Sequence, residues 1–425
     1  MTNAQEFFRA ALFPYSISNR AACPLFKFFV FSTLDLEIAP DLPATFTGPV
    51  HGNSNIFMTP QSSATFADRV TATGTIFETN SPLDPTVRAP GVVNFAGGKR
   101  SGTVPLTLAF DTNHTASAWR MIVELPPAGE GTNSSLSKDR FYNKADLIVD
   151  LTGASTTPAV KVKTGLFDNF ATVITPAQWI KFIDYDNTFY NAREGKTVRV
   201  LDIDVQRLKN WSITNAIIRP KLGNRDISSI YVNDMRTFSM TDQPGVRVVN
   251  GAELPSRGLT IATRDPIYVW GHFNNKISSI SNVIGGTSTG TNTTYTRPAA
   301  LIGDSITILS RAWNNPSSSN SLANRIALST TVNAALVGGI VETTATNFSG
   351  GVENFIRLLE DWSGQTLTFN GSIVIAYPSL IARTPWQVGG DVYASPIRQW
   401  NYDANLRSAS KLPPGTPAVG VLDNN

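Results

Sequence analysis

This sequence has very little cysteine and histidine, and their scarcity excludes several kinds of site. Cys23 is the single cysteine among 425 residues, so the chain forms no internal disulfide and no thiolate metal cage. We interpret Cys23 as a small buried hydrophobic residue. The three histidines, at positions 51, 114 and 272, do not have the spacing of a zinc motif. The sequence therefore predicts neither a metal ion nor a cofactor.

Charged residues are also scarce, at 16% of the sequence against an average of about a quarter. The 31 glycines and 26 prolines are typical of a β-rich chain with many turns, and not of a helical bundle or a disordered chain. Such compositions are common among secreted and surface proteins. We therefore predict an extracellular or cell-surface location.

Basic residues do not form the stripe that nucleic-acid binding requires. The formal net charge is +3, and the densest basic cluster, Arg219, Lys221 and Arg225, has no interleaved aromatic residues. No nucleic-acid partner is expected. No apolar run approaches the roughly 20 residues of a membrane span, which predicts no transmembrane span, and the first five residues do not resemble a signal peptide.

A repeat of 20 residues is the most informative pattern present. The string VHGNSNIF at 50–57 is echoed by VTATGTIF at 70–77, with valine, isoleucine and phenylalanine at matching positions. Short strands repeated at this period, with Gly, Asn and Thr at the corners, are typical of the coils of a parallel β-helix. Four further pairs of short apolar strands occur in the C-terminal half, at 258–271, 299–309, 331–341 and 367–377.

These patterns predict a mainly β fold: a right-handed parallel β-helix, or β-solenoid, with an inserted α+β module and a flanking helix. The lead-in covers residues 1–24, with a short helix at 6–13, and the first solenoid part covers 25–104. The inserted module covers 105–255 and contains helices at 175–182, capped by Thr175, and at 204–211. The second solenoid part covers 256–425, with the flanking helix at 352–362 and a Pro-rich tail.

Two pairs of aspartates are the candidate site residues: Asp184 with Asp186, and Asp202 with Asp204. Carboxylates two positions apart on a strand point to the same side, where they can bind Ca²⁺ or act as a glycosidase pair. The alternative is that they are solvated surface acids beside lysine and arginine. The sequence predicts no catalytic, cofactor-binding or metal residue beyond these four candidates.

The block Gly303-Asp304-Ser305 resembles the nucleophile block of SGNH hydrolases, and Asp111 and His114 supply an Asp-x-x-His. That family has its serine block near the N-terminus and its Asp-x-x-His near the C-terminus, which is the opposite order. The residues after Ser305 also continue as a strand, where the family has a helix. We therefore predict no serine nucleophile here.

Several strings together are similar to large, poorly characterised bacterial surface proteins of the pilus-assembly or PilX-N-terminal-like kind. The strings are GPVHGNSNI (48–56), YNKAD (142–146), REGKTV (193–198), GVRVVNG (245–251), GLTIAT (258–263), GVENF (351–355) and LPPGTP (412–417). The resemblance spans roughly residues 25–420, and the prepilin helix that typically precedes this region is missing here. The family has no established catalytic residues, so the resemblance implies an exported structural or adhesive role.

Two functions are left open. The first is an extracellular structural protein, pilus- or filament-associated or adhesin-like, which acts by self-association or by binding other surface or pilus subunits and is not an enzyme. The alternative is a carbohydrate-binding or carbohydrate-active β-helix protein, such as a polysaccharide lyase or hydrolase, which uses the paired aspartates on a glycan.

Overall fold

The structure is a computed structural model that describes residues 22–86, 88–89, 91–108, 110, 115–152, 157–163, 172–279, 284–386 and 390–421. Within these ranges the chain is mainly β and contains several parallel sheets. The predicted helix at 6–13 and the residues Asp111 and His114 lie outside the described residues. None of the described helices has the length and apolar character that a membrane crossing needs.

Thirty strands lie within the described ranges. The first twelve are β1 (Ala22–Pro24), β2 (Val30–Ser32), β3 (Leu36–Ile38), β4 (Ala44–Phe46), β5 (Val50–Gly52), β6 (Ile56–Met58), β7 (Ser63–Phe66), β8 (Val70–Ala72), β9 (Ile76–Phe77), β10 (Val92–Asn94), β11 (Lys99–Arg100) and β12 (Leu106–Leu108). The next nine are β13 (Leu147–Thr152), β14 (Ala159–Val162), β15 (Thr172–Ile174), β16 (Ile183–Asn191), β17 (Lys196–Asp204), β18 (Ser229–Met235), β19 (Asp242–Val249), β20 (Leu259–Thr263) and β21 (Ile267–Trp270). The last nine are β22 (Lys276–Ile277), β23 (Gly286–Thr287), β24 (Ala299–Ile302), β25 (Ile306–Leu309), β26 (Thr330–Ile340), β27 (Ile356–Arg357), β28 (Thr366–Pro378), β29 (Ile397–Tyr402) and β30 (Ala418–Val421).

The described α-helices are short and cluster between β12 and β18. They are α1 (Ala116–Met121), α2 (Ser135–Asp139), α3 (Phe141–Lys144), α4 (Pro176–Trp179), α5 (Val205–Thr214) and α6 (Ile218–Lys221). The predicted helices at 175–182 and 204–211 correspond to α4 and α5. Thr175 forms a capping box at the start of α4, and Asp204 caps α5 by accepting from the N–H of Arg207.

The N-terminal strands form three parallel stacks, one of which belongs to the thirteen-stranded sheet, and the strands up to β9 pair 20 residues apart, whereas β10 and β11 pair 29 residues after β7 and β8. Val30 pairs with Val50 and Val50 with Val70, in the order β2, β5, β8. The same offset joins β3 to β6, β6 to β9 and β4 to β7. Equivalent side chains therefore stack, as Phe46 does on Phe66 with ring centroids 4.7 Å apart. The repeat in the sequence is thus a pairing register of the structure.

The C-terminal half contributes strands to two longer sheets. One has thirteen strands and contains a parallel run from β13 through β18, β20, β24, β26 and β28, and the other has six strands in the order β16, β17, β19, β21, β25, β27. The predicted strand pairs at 258–271 and 299–309 are β20 with β21 and β24 with β25. Their side chains are almost all buried, as continuous Val, Ile and Leu runs in parallel sheets are.

The two ends of the chain meet in the middle of the thirteen-stranded sheet. β2 pairs in parallel with β28, so the N-terminal strands continue the run that the C-terminal half begins. A small antiparallel sheet holds the ends together, because β30 lies between β1 and β12. Cys23 lies in this sheet and is buried, as predicted, and burial raises the pKa of its thiol to about 11.

The prediction of a flanking helix at 352–362 is wrong. Val352–Asn354 is a single 3-10 turn, and the next strand, β27, pairs with β25. The apolar spacing resembles a helix face, but Asn354, Arg357 and Glu360, which would lie on the opposite face, are buried as well. Glu360 is also buried, and its carboxylate accepts from the N–H and hydroxyl of Ser310. The boundaries of the 105–255 module stay a prediction, although β13 and β18 belong to the thirteen-stranded sheet.

Candidate functional site

A cleft of about 150 Å³ lies where the turns of the N-terminal strands face the C-terminal half. The N-terminal side contributes Asp41, Gln61 and Arg88, which follow β3, β6 and β9. The C-terminal side contributes three aromatic residues and two further charged residues, namely Phe348, Trp386, Tyr393, Glu353 and Arg398. Residues more than 300 positions apart thus form one surface.

Phe348, Trp386 and Tyr393 form an aromatic wall of the cleft, and contacts among them hold it in place. Phe348 meets Trp386 edge to face with centroids 5.5 Å apart, and the Trp386 Nε1–H donates to the Tyr393 hydroxyl over 3.0 Å. The Arg88 guanidinium lies 3.7 Å from the centroid of the Phe348 ring and also pairs with Asp84. The rings are therefore fixed before any ligand arrives.

Two glycines allow the backbone to lie close to the Trp386 ring and to the Glu353 carboxyl group. Gly350 and Gly351 have φ values of +83° and +65°, which favour glycine. A Cβ at Gly350 would lie 2.6 Å from the Trp386 ring, and one at Gly351 would lie 2.8 Å from Glu353 Oε2. The Gly-Gly pair that leads into the wrongly predicted helix is thus the turn that shapes the cleft.

Glu353 is the acid with the most unusual environment in the cleft. Burial raises the pKa of its carboxyl to about 7, which the Asp41 carboxylate reinforces and the Arg398 guanidinium opposes. Its Oε2 accepts a 3.4 Å hydrogen bond from the N–H of Ala39. Asp41 in turn accepts from Gln61 Nε2 over 2.8 Å. The cleft therefore holds a carboxyl that carries a proton near neutral pH and a second acid beside it.

A second buried acid, Glu37, holds the loop that carries Phe348. Its Oε2 accepts from the hydroxyls of Thr343, at 2.5 Å, and of Ser349. Burial is the largest cause of the raised pKa of Glu37. Its Oε1 is buried and has no hydrogen-bond partner within the described ranges. Glu37 thus holds in place the loop that contributes Phe348 and Gly350 to the cleft.

Phe348 and Tyr393 are buried and support the half-buried Trp386 ring, and one fixed aromatic ring with carboxyl, amide and guanidinium groups around it suits a polar, ring-shaped ligand such as a sugar. A proton-bearing carboxyl beside a second acid is also the kind of pair that glycoside hydrolysis uses. The chemistry of the arrangement is thus that of an aromatic ring beside a carboxyl group that can donate a proton.

The predicted aspartates do not line this cleft. Asp184 and Asp186 are exposed on β16, and Asp184 is the cross-strand partner of Asp202. Asp202 is buried and accepts two hydrogen bonds of 2.7 Å from the Arg247 guanidinium. Asp204 caps α5. Two of the four acids are thus already engaged in internal contacts.

The Gly303-Asp304-Ser305 block is enclosed in the fold. Ser305 is buried at the start of β25 and its Oγ has no hydrogen-bond partner among the residues the structure covers. The Asp304 carboxylate accepts from three consecutive backbone N–H groups, at 380–382, and from Arg120 Nη1. The block thus anchors a loop. Over the described ranges, no group of three or more His, Cys, Asp or Glu residues is placed to hold a metal ion.

Comparison with known proteins adds no assignment. No protein-family profile, no curated protein and no solved structure matches this chain.

The cleft residues were not predicted as a site from the sequence. Trp386 and Tyr393 stand out in the sequence only as aromatic residues of the Pro-rich tail, and Glu353 lies on the segment wrongly predicted as a helix. The one local signal is Gly350-Gly351 ahead of an acid, since adjacent glycines indicate a close approach of the backbone to other atoms. No local feature of the sequence indicates that this turn lies beside Asp41.

Proposed function

We propose that this chain is an extracellular structural protein, pilus- or filament-associated or adhesin-like, which acts by surface binding or assembly and without catalysis. We further propose that its parallel strands form a right-handed β-helix. The observation that supports this is the unbroken parallel pairing from β13 through β28 and β2 to β11. Stacked repeats of this kind give elongated surfaces suited to binding other macromolecules.

The end of the N-terminal stack supports contact with another subunit. There β9, β10 and β11 are the last members of their sheets. Val92 is 68% exposed and Phe77 is 38% exposed, while Lys99 and Arg100 occupy the edge strand of the long sheet. Open strand edges pair readily with other chains, and lysine on an edge restricts the partners. This end is therefore the surface through which we expect association.

Replacing Val92 with lysine is expected to weaken self-association, because it places a charge on the exposed apolar edge. Sedimentation velocity over a range of concentrations, with negative-stain microscopy, should show oligomers or filaments for the wild-type protein and mainly monomers for Val92→Lys. The control is Met240→Lys, since Met240 is 94% exposed and lies before β19, away from this edge. Wild-type protein that stays monomeric at every concentration would argue against assembly through this end.

The second candidate function is carbohydrate binding in the Glu353 cleft. The half-buried Trp386 ring, which Phe348 and Tyr393 hold in place, and the raised pKa of Glu353 favour it. The paired aspartates favour it less, since Asp202 and Asp204 already have internal partners. Under this second proposal the protein still acts by surface binding, and its ligand is a carbohydrate.

Trp386→Ala is expected to weaken glycan binding at least tenfold, because it removes the largest ring of the wall, and tenfold corresponds to about 1.4 kcal/mol. A screen of neutral and acidic polysaccharides followed by calorimetry would measure it. Trp386→Phe should retain most of the affinity, and Asp184→Asn with Asp186→Asn should leave it unchanged. Equal affinity in Trp386→Ala and wild type would rule out this cleft. Polysaccharide turnover that disappears in Glu353→Gln would instead overturn the non-catalytic proposal.

A further inference from the structure

A second groove, of about 560 Å³, lies on another part of the surface. Four of the residues that line it carry a positive charge, and none carries a carboxylate. Its cations are Arg225, Arg257, Arg297 and Lys411. The groove runs along the entrances of β18, β20 and β24, and the segment after the 3-10 turn Ala409–Lys411 closes one side.

Two of these arginines occupy equivalent positions in neighbouring strands. Leu259 pairs with Ala299 in the parallel sheet, so Arg257 and Arg297 both lie two residues before a paired position. Neighbouring strands are about 4.8 Å apart. The two arginines therefore lie at equivalent positions ahead of adjacent strands, and both line the groove.

The backbone under this pair is tightly held. Gly258 has a φ of +90°, and a Cβ there would lie 2.0 Å from the Pro298 carbonyl oxygen, which shows how closely the two turns pack. The buried Asn274 side chain donates to the carbonyl of Arg297 over 2.7 Å and accepts from its N–H over 2.8 Å. The Thr260 hydroxyl donates to the Pro414 carbonyl and so fixes the segment beside Lys411. These contacts thus fix the backbone from which the cationic side chains extend.

The cations of the groove differ in whether a carboxylate neutralises them. Arg225 is neutralised by Asp146, to which it donates from both terminal nitrogens. Among the described residues, Arg257, Arg297 and Lys411 form no ion pair within 4 Å, and the Asp403 carboxylate, which lines an adjoining pocket with Arg297 and Lys411, acts on Lys411 from outside the groove. Like charges at the spacing of adjacent strands repel each other, and an oxyanion between them relieves that repulsion.

We propose that this groove binds an acidic polysaccharide, whose sulfate or carboxylate groups lie between Arg257 and Arg297 and reach Lys411. The hydroxyls of Ser256 and Thr296 line the same groove; because they already donate to Asp226 and to the Thr293 carbonyl, they can accept hydrogen bonds from sugar hydroxyls. A groove of this volume holds more than one charged group of a polymer, which matches a row of cations along the strand entrances.

Polysaccharide is favoured over single-stranded nucleic acid by the lining. The residues that line the groove include no aromatic side chain, and sequence-tolerant binding of single strands depends on stacking of bases on aromatic rings. The proposal is independent of the Glu353 cleft, because the two share no lining residue.

The test measures binding of heparin, which is sulfated, and of polygalacturonate, which carries carboxylates, by calorimetry at increasing NaCl. Neutral dextran and a single-stranded oligonucleotide complete the set. Wild-type protein is expected to bind at least one acidic polysaccharide with an affinity that falls as salt rises. The double variant Arg257→Gln with Arg297→Gln should bind at least tenfold more weakly, with a salt slope shallower by about two, since each ionic contact contributes about one.

The matched control removes two exposed cations elsewhere: Lys181→Gln with Arg311→Gln, neither of which lines this groove. Because both double variants change the net charge equally, binding that reflects only overall charge would fall equally in both, and that result would overturn the proposal. So would a wild-type protein that binds neither acidic polysaccharide, or one that binds the oligonucleotide more tightly. Thermal unfolding of each variant confirms that the fold is intact, and Lys411→Gln tests the groove from a different segment.

Discussion

Replacement of Asp304 by alanine is expected to lower the free energy of unfolding by about 3–5 kcal/mol, the range for removing one partner of a buried ion pair. The Asp304 side chain is fully buried and pairs with Arg120 Nη1 at 2.8 Å. It also accepts from the N–H groups of Leu380, Ile381 and Ala382 at 2.7–3.0 Å. The substitution leaves the arginine and three backbone donors without this acceptor, and each buried unsatisfied donor has its own cost.

The same change is expected to disturb the Glu353 cleft, because the loop that Asp304 holds continues to Trp386. Urea unfolding followed by tryptophan fluorescence would give the stability difference, and the binding measurement on Trp386 variants would give the functional one. Asp186→Ala is the control, since Asp186 is exposed on β16. A change of under 1 kcal/mol in Asp304→Ala would mean that the loop has another anchor.

The strand stack could be predicted from the sequence wherever equivalent residues repeat at a fixed offset. Val50 with Val70, and Ile56 with Ile76, are neighbours in adjacent strands, so the pattern in the sequence and the pairing in the structure have one cause. The order of the stack could not be predicted in this way. The pairing of β2 with β28 depends on contacts between the two ends of the chain. Such long-range pairings leave no periodic pattern in the sequence.

The error at 352–362 has a physical reason of the same kind. Val352, Phe355, Ile356 and Leu359 have helical spacing, but spacing reports a helix only when the opposite face is exposed. Here the segment is buried on both sides, and the pairing of β27 with β25 decides its conformation. Tertiary context thus outweighs local periodicity.

The candidate cleft was beyond sequence reasoning because its parts come from separate segments. Asp41, Arg88, Glu353 and Trp386 meet only once the N-terminal turns face the C-terminal loops. The paired aspartates have the spacing of a site because they lie two positions apart in sequence, whereas in the fold Asp202 lies in a buried ion pair. Adjacency of acids identifies a site only when the fold leaves them without internal partners.

A further acid, Asp265, should make stability depend on pH over an unusual range. Asp265 is buried where β20 turns toward β21, and burial raises the pKa of its carboxyl to about 7 from the usual 3.8. The nearby carboxylates of Asp234 and Asp304 add to the rise, and Arg264 opposes it. The folded protein therefore retains a proton on Asp265 at pH values where the unfolded chain has lost it.

The sign of the pH effect follows from that difference in proton binding. Between pH 3.8 and about 7 the folded state binds more protons than the unfolded state at this residue, so its contribution to stability falls as pH rises and is constant above about pH 7. Asp265→Asn keeps the shape of the neutral acid and cannot titrate. The stability of Asp265→Asn relative to wild type should therefore rise with pH, by on the order of 4 kcal/mol from pH 4 to pH 7.

Urea unfolding of both proteins at each half pH unit from 4 to 8 would measure this difference directly, because all other titrations are common to both and cancel. Asp186→Asn, on an exposed residue, should give a difference from wild type that is nearly flat over the same range. A flat difference for Asp265→Asn too would mean that Asp265 is ionised in the folded protein. The Arg120, Arg236 and Arg264 side chains would then have to stabilise three carboxylates together, at positions 234, 265 and 304.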